Sequence, residues 1–79
     1  MTIRGKLEKI IIDQLCISEL DTKKTFEEMG VDSLDFIELG INIEEEFGIE
    51  FQDDDMNGVT SFPVLLELVE KKISAKETR

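Results

Sequence analysis

A serine lies between two acidic residues near the middle of the chain, at the start of a strongly periodic segment. Residues 30–35 read GVDSLD. Gly30 predicts a break in the chain and Asp32 a helix N-cap, so Ser33 is predicted to be the first helical residue. The N-terminus of a helix carries partial positive charge and free N–H groups, which suit a phosphate ester. The pattern therefore predicts an exposed Ser33 hydroxyl at a position suited to esterification by a phosphate group.

Two other roles for Ser33 have to be weighed. A catalytic serine needs an adjacent base and an oxyanion hole. The chain contains no histidine, and no lysine lies near Ser33 in the sequence. These facts argue against an esterase or a protease, and we expect a protein that is not an enzyme. The remaining alternative is that Ser33 only begins a helix, because Asp-Ser-Leu is a common tripeptide.

The distribution of charge is as informative as the net charge of −10. Between Lys24 and Lys71 there is no lysine or arginine, and every charged residue is Asp or Glu. Such an acidic surface argues against a nucleic-acid partner. A field of one sign attracts basic partners and speeds their encounter. We therefore expect partner proteins with basic patches, the alternative being an acidic surface that only keeps the chain in solution.

Length and composition predict one domain over residues 1–79, with a core near the lower limit for a stable fold. The only cysteine, Cys16, cannot form an internal disulfide and favours a reducing, cytoplasmic location. We expect Cys16 to be a small buried apolar residue rather than a reactive thiol. No apolar run reaches the roughly 18 residues of a membrane span, and we expect no signal peptide before the first helix. We thus expect a monomer with no membrane partner.

Hydrophobic periodicity predicts an all-α fold, a small four-helix bundle of three main helices and one short irregular helix, with a long first loop. The predicted helices cover residues 3–16, 33–47, 54–58 (the short one) and 62–73, followed by a flexible tail at 74–79. In the loop, Thr25 and Glu28 have the spacing of a capping box. Phe26 and Met29 are predicted to anchor this loop to the core.

The second predicted helix has apolar residues on two opposite sides. One side carries Phe36, Leu39, Ile43 and Phe47, and the other carries Leu34, Ile37 and Ile41. A bundle this small cannot bury both sides. Glu38 and Glu45 flank the second side, so we expect it to face solvent as a docking surface for partner proteins. The alternative is that Ile37 or Ile41 packs under a neighbouring loop.

Residues 53–58 (DDDMNG) fit the opening of an EF-hand calcium loop. The twelfth position of that loop requires a glutamate, but Val64 occupies it and Pro63 precedes it. The alternative function is an acidic calcium-binding or protein-interaction module that uses the segment from Asp53 to Gly58. We expect no specific metal site, only weak divalent binding at Asp53 and Asp55 through relief of repulsion.

The GVDSLD stretch resembles the phosphopantetheine attachment motif of acyl carrier proteins. The resemblance continues through Glu38 and Leu39, residues 44–48 (EEEFG) and residues 59–61 (VTS), and it covers nearly the whole chain. It implies that a separate transferase, which supplies the base and Mg²⁺, attaches 4′-phosphopantetheine from coenzyme A to Ser33. The thiol of that arm then carries acyl groups as thioesters in fatty-acid, polyketide or related lipid biosynthesis.

The resemblance also implies roles for residues of the second helix. Members of the family dock basic patches of their enzymes on this helix, and the matching positions here are Asp32, Leu34, Asp35, Ile37, Glu38, Ile41, Glu44 and Glu45. Members also shelter acyl chains between helices, which implies a pocket near Phe36, Leu39 and Ile43. Gly40, Asn42 and the bulky Phe36 depart from the pattern of fatty-acid carriers, so a specialised pathway stays open. Gly40 is predicted to leave space for an acyl chain or for Phe36.

Overall fold

In the computed structural model of the chain, residues 2–77 are described, without the side chains of Asp53 and Glu77. They form four α-helices, which are α1 (Ile3–Leu15), α2 (Ser33–Phe47), α3 (Asp53–Asn57) and α4 (Phe62–Glu77). A long loop joins α1 to α2, and Thr25 in this loop forms an isolated antiparallel bridge with Ser61. The predicted all-α bundle with one short helix is confirmed.

The largest error in the predicted helix bounds concerns α4. Its predicted end was residue 73, but the helix continues to Glu77, so the predicted flexible tail is wrong for residues 74–77. Residues 78–79 lie outside the described part of the chain. Ala75 and Lys76 are strong helix formers, and Lys76 in the last turn interacts favourably with the helix dipole. The short helix α3 begins at Asp53 and ends at Asn57, so each of its bounds lies one residue before the predicted one.

Cys16 is exposed, so the prediction of a buried thiol is wrong. The reason lies in the end of α1, which stops at Leu15 rather than at residue 16. Cys16 adopts a left-handed conformation with φ of 55° and caps the helix, its N–H donating to Ile12 O. This backbone turn takes the side chain out of the apolar stripe, and its Sγ lies 3.8 Å from Asp13 O.

The core takes two or three residues from each long helix and one from each main connection. The side chains pack at helical spacing on the inner faces of the bundle, and the buried set is Leu7, Ile11, Phe26, Leu39, Ile43, Ile49, Val59, Phe62, Leu65 and Val69. Phe26 anchors the long loop as predicted, since its ring is buried and its N–H donates to Thr60 O at 2.8 Å.

A polar contact joins α1 to α2 beside this core. Gln14 Nε2 donates to Glu38 Oε2 at 3.0 Å, and Asn42 Nδ2 donates to Gln14 Oε1. Asparagine is a poor helix former. Its presence in the middle of α2 is explained by this hydrogen bond, which ties the helix to its neighbour.

The short helix α3 is held from two sides. Asp55 Oδ2 accepts from Gln52 N at 2.7 Å and lies 2.7 Å from Lys72 Nζ on α4. On the side of α2, Glu44 Oε2 accepts from Phe51 N at 2.8 Å. The hydrogen bond from Lys72, with that from the Gln52 backbone, lowers the pKa of the Asp55 carboxyl below its ordinary value of 3.8. Lys72 on α4 therefore stabilises the position of α3.

Ile43 and Ile41 lie two positions apart on α2 and provide a matched test of the two faces. Ile43 is fully buried, whereas Ile41 is 48% exposed. Ile43→Ala should lower the free energy of unfolding by about 2–5 kcal/mol because it leaves a cavity in the core. Ile41→Ala should change it by less than about 1 kcal/mol. Urea denaturation followed by circular dichroism measures both, and equal losses would contradict the described packing.

Asp55→Asn keeps an acceptor for Gln52 N and removes only the charge that faces Lys72. Because the pKa of Asp55 is lowered in the folded state, the ion pair stabilises the fold above the unfolded pKa. This stability is lost as the pH falls through the folded pKa. Asp55→Asn should therefore lower the urea midpoint at neutral pH, and the difference from the unsubstituted chain should disappear once the pH has fallen below the lowered pKa of Asp55 in the folded state.

The neighbouring exposed residue gives the control for this measurement. Asp54→Asn makes the same chemical change one residue away and should leave the urea midpoint close to that of the unmodified chain at every pH. A midpoint difference for Asp55→Asn that does not depend on pH would show that the ion pair is not its cause.

Candidate functional site

Ser33 is the first residue of α2, and it is exposed. Asp32 caps the helix as predicted, because its Oδ1 accepts from Asp35 N at 2.9 Å and its carbonyl oxygen accepts from Phe36 N at 3.0 Å. Gly30 precedes the cap with φ of +84°, a left-handed conformation that favours glycine. The cap and the turn together fix the Ser33 hydroxyl at the positive end of the helix.

The turn before Ser33 is fixed by its own hydrogen bonds. Thr25 N donates to Glu28 Oε1 at 2.8 Å, and Glu28 N donates to Thr25 Oγ1 at 3.1 Å, which confirms the predicted capping box. Val31 N then donates to Phe26 O at 3.0 Å. Because Phe26 is buried in the core, this hydrogen bond ties the residues just before Ser33 to the bundle.

A surface cavity of 340 Å³ opens beside Ser33. We call it the Ser33 cavity, and it is lined by Thr25, Phe26, Glu27, Val31, Asp32, Ser33, Phe36, Val59 and Thr60. The rings of Phe26 and Phe36 meet in its wall, with their centroids 5.7 Å apart and their planes tilted by 49°. Apolar and polar groups are therefore mixed at the mouth of the site.

A second cavity, of 370 Å³, lies between α2 and α3. We call it the α2–α3 cavity, and it is lined by Phe36, Ile37, Gly40, Ile41, Glu44, Phe51, Gln52, Met56 and Asn57. A Cβ on Gly40 would come within 3.3 Å of Met56 Cε. Gly40 thus allows the Met56 methyl group to approach α2 closely.

Of the three predicted pocket residues, Phe36 lines both cavities. Leu39 and Ile43 are fully buried in the core and line neither of the two. Sequence reasoning missed Val59, Phe51 and Met56 as lining residues. They come from α3 and the segments on either side of it, which are too short or too irregular for hydrophobic periodicity to carry a signal.

The second apolar side of α2 faces solvent. Leu34 is 71% exposed, Ile37 is 58% exposed and Ile41 is 48% exposed. The alternative in which Ile37 or Ile41 packs under a loop is therefore wrong. The structure places acidic groups along the same helix, among which Glu38 and Glu45 are exposed and Asp35 and Glu44 are half-buried.

Within this acidic set, three carboxylates already bind the protein itself. Asp32 caps α2, Glu38 accepts from Gln14, and Glu44 accepts from Phe51 N. These contacts fix the positions of the three carboxylates.

The segment that fits the opening of an EF-hand, the basis of the alternative function, has a different structure. It forms α3 instead of an open loop, and Asp55 is engaged with Gln52 and Lys72. The side chain of Asp53 lies outside the described residues. Among the side chains that are described, no group of three His, Cys, Asp or Glu could hold a metal ion. A search of the helices over residues 2–77 likewise finds none with the length and apolarity to cross a membrane.

Comparison with known proteins shows which family the chain belongs to. Residues 5–70 match the family described as "Phosphopantetheine attachment site". An acyl carrier protein of Nitratidesulfovibrio vulgaris strain DP4 is 40% identical over 75 residues, which cover 91% of this chain and 99% of that protein. The acyl carrier protein of strain Miyazaki F gives the same values. The crystal structure of an acyl carrier protein from Thermotoga maritima superposes with a TM-score of 0.79, at 26% identity, over 94% of both chains.

The geometry of the site fits the group that this family carries. Phosphopantetheine is joined through a phosphodiester, which requires an exposed hydroxyl, and the exposed serine at the start of α2 lies within the matched residues. Proteins of this family are carriers rather than enzymes. By its sequence and by its fold, the chain belongs to the acyl carrier proteins, which hold acyl groups on phosphopantetheine for fatty-acid or related biosynthesis.

Proposed function

We propose that Ser33 is the residue that bears 4′-phosphopantetheine, and that the chain carries acyl intermediates as thioesters for fatty-acid, polyketide or related lipid biosynthesis. The observation that carries this proposal is the exposure of Ser33 at the N-terminus of α2, inside the stretch that matches the attachment family. The neutral hydroxyl has no role in the packing of the bundle, so it can be modified at no cost to the core.

In the attachment step, Ser33 Oγ forms a bond to the phosphorus of coenzyme A that is next to the pantetheine arm. The bond from this phosphorus to the leaving group breaks, adenosine 3′,5′-bisphosphate departs, and the hydroxyl proton passes to a base of the transferase. This chain has no histidine to act as that base. The positive end of α2 stabilises the anionic phosphodiester, and the Asp32 charge is partly compensated by Asp35 N. Once bound, the arm supplies a terminal thiol for thioester formation.

We further propose that α2 is the docking surface for the transferase and for acyl-processing enzymes with basic patches. Its exposed apolar residues supply contact area, and the surrounding carboxylates supply charge of one sign. The proposed docking set is Asp32, Leu34, Asp35, Ile37, Glu38, Ile41, Glu44 and Glu45. The carrier is proposed to act as a monomer in the cytoplasm, which its single cysteine supports.

Ser33→Ala should abolish modification and leave the helices intact. The chain is incubated with coenzyme A, Mg²⁺ and a phosphopantetheinyl transferase of broad specificity, and intact mass spectrometry records the gain of one phosphopantetheine group. Ser18→Ala changes another exposed serine and should be modified in full. Modification of Ser33→Ala, or no modification of the unaltered chain, would refute the proposed attachment site.

Glu38→Lys should weaken binding to the transferase, and the effect should be larger at low salt than at high salt because exposed charges are screened. Glu67→Lys makes the same change of net charge at an exposed position on α4 and should have a smaller effect. The rate of modification at several salt concentrations measures both. Glu38→Gln, which retains an acceptor for Gln14, separates the loss of charge from the loss of that hydrogen bond. An effect that does not vary with salt would contradict electrostatic docking.

A further inference from the structure

Phe36 is the one lining residue that the Ser33 cavity and the α2–α3 cavity share. It lies three positions after Ser33 and four before Gly40 on the same helix, so its side chain stands between the two spaces. Its ring is held against the buried ring of Phe26, with the centroids 5.7 Å apart. The packing of two aromatic rings gives this wall a fixed position.

Both cavities combine apolar with polar lining side chains, and the α2–α3 cavity has Glu44, Gln52 and Asn57 on its polar side. Around Ser33 the lining includes Thr25, Glu27, Asp32 and Thr60, whose polar groups suit the phosphate, hydroxyl and amide groups of the arm. The α2–α3 cavity is lined mainly by aliphatic, aromatic and thioether side chains from Ile37, Ile41, Phe51 and Met56. This lining suits an acyl chain, because it removes apolar surface from water.

Each cavity alone is near the lower end of the roughly 300–1,000 Å³ that ligand sites occupy. Removal of the Phe36 ring would join them into a space about twice as large. We propose that Phe36 is a specificity-determining residue, which separates the α2–α3 cavity from the Ser33 cavity and thereby sets the longest acyl group that the bundle can shelter. This inference rests on the proposed attachment of the arm to Ser33.

The test compares the holo form with butyryl, octanoyl, dodecanoyl and hexadecanoyl forms of the same chain. In the chain without substitutions, the increase in Tm over the holo form should rise with the length of the acyl group and then reach a plateau within this series. In Phe36→Ala the plateau should move to a longer acyl group. Phe47→Ala makes the same change at a half-buried position of α2 that lines neither cavity, and it should leave the plateau in place.

Amide chemical shifts give a second readout, with the holo form as the reference. In the chain without substitutions, acylation should change the amide chemical shifts of Gly40 and Met56 and leave those of Val59 and Thr60 unchanged. In Phe36→Ala the longest acyl group should also shift Val59 and Thr60. Phe36→Leu, a smaller change in case the alanine variant does not fold, should give the same direction with a lower magnitude.

Gly40→Ala tests another part of the wall of the α2–α3 cavity. Its Cβ would meet the Met56 methyl group at 3.3 Å and narrow the space, so the plateau should move to a shorter acyl group. If the plateau began at the same acyl length in the chain without substitutions, in Phe36→Ala and in Gly40→Ala, the proposed role of Phe36 would be overturned. Mass spectrometry of every sample reports the loading of Ser33. A chain that accepts no arm contradicts the proposed attachment, whereas a loaded chain with equal plateaus contradicts only the role of Phe36.

Discussion

The hydrogen bond from Asp35 N to Asp32 Oδ1 fixes the residue at which α2 begins, and the rest of the site depends on it. If the helix began one residue later, the side chain at position 33 would lie in the preceding turn. The buried Phe26 and the left-handed Gly30 lead the chain into the cap from a fixed direction. A rigid approach and a single cap therefore decide which hydroxyl stands at the positive end of the helix, where a phosphodiester is stabilised.

The same helix must satisfy two opposed demands. Its inner residues Leu39 and Ile43 are required by a core with few members, since a chain of 79 residues buries little surface. Its outer apolar residues remain in water, and its carboxylates repel one another. Lys76 of α4 offsets part of this repulsion, because it lies beside Gly48 at the negative end of α2.

Local signals predicted the parts of the fold that depend on local physics. The bounds of α2 followed from the cap at Asp32 and from Gly48, which ends the helix with φ of +65°. The role of Asn42 could not be predicted, because its partner Gln14 is 28 residues away in the sequence. Cys16 was misjudged for a related reason, since its exposure depends on the left-handed residue that ends α1. The two cavities could not be predicted either, because they form between α2 and segments without hydrophobic periodicity.

The proposed docking surface and the α2–α3 cavity are not independent features. Ile37, Ile41 and Glu44 belong to the docking set and also line the cavity. Glu44 in addition holds Phe51, another lining residue, through its backbone N–H. A protein that covered the exposed face of α2 would therefore also cover the rim of the cavity and meet the carboxylate that fixes its far wall. Because these three residues belong to both, a substitution of Ile37, Ile41 or Glu44 that alters docking also changes the walls of the α2–α3 cavity.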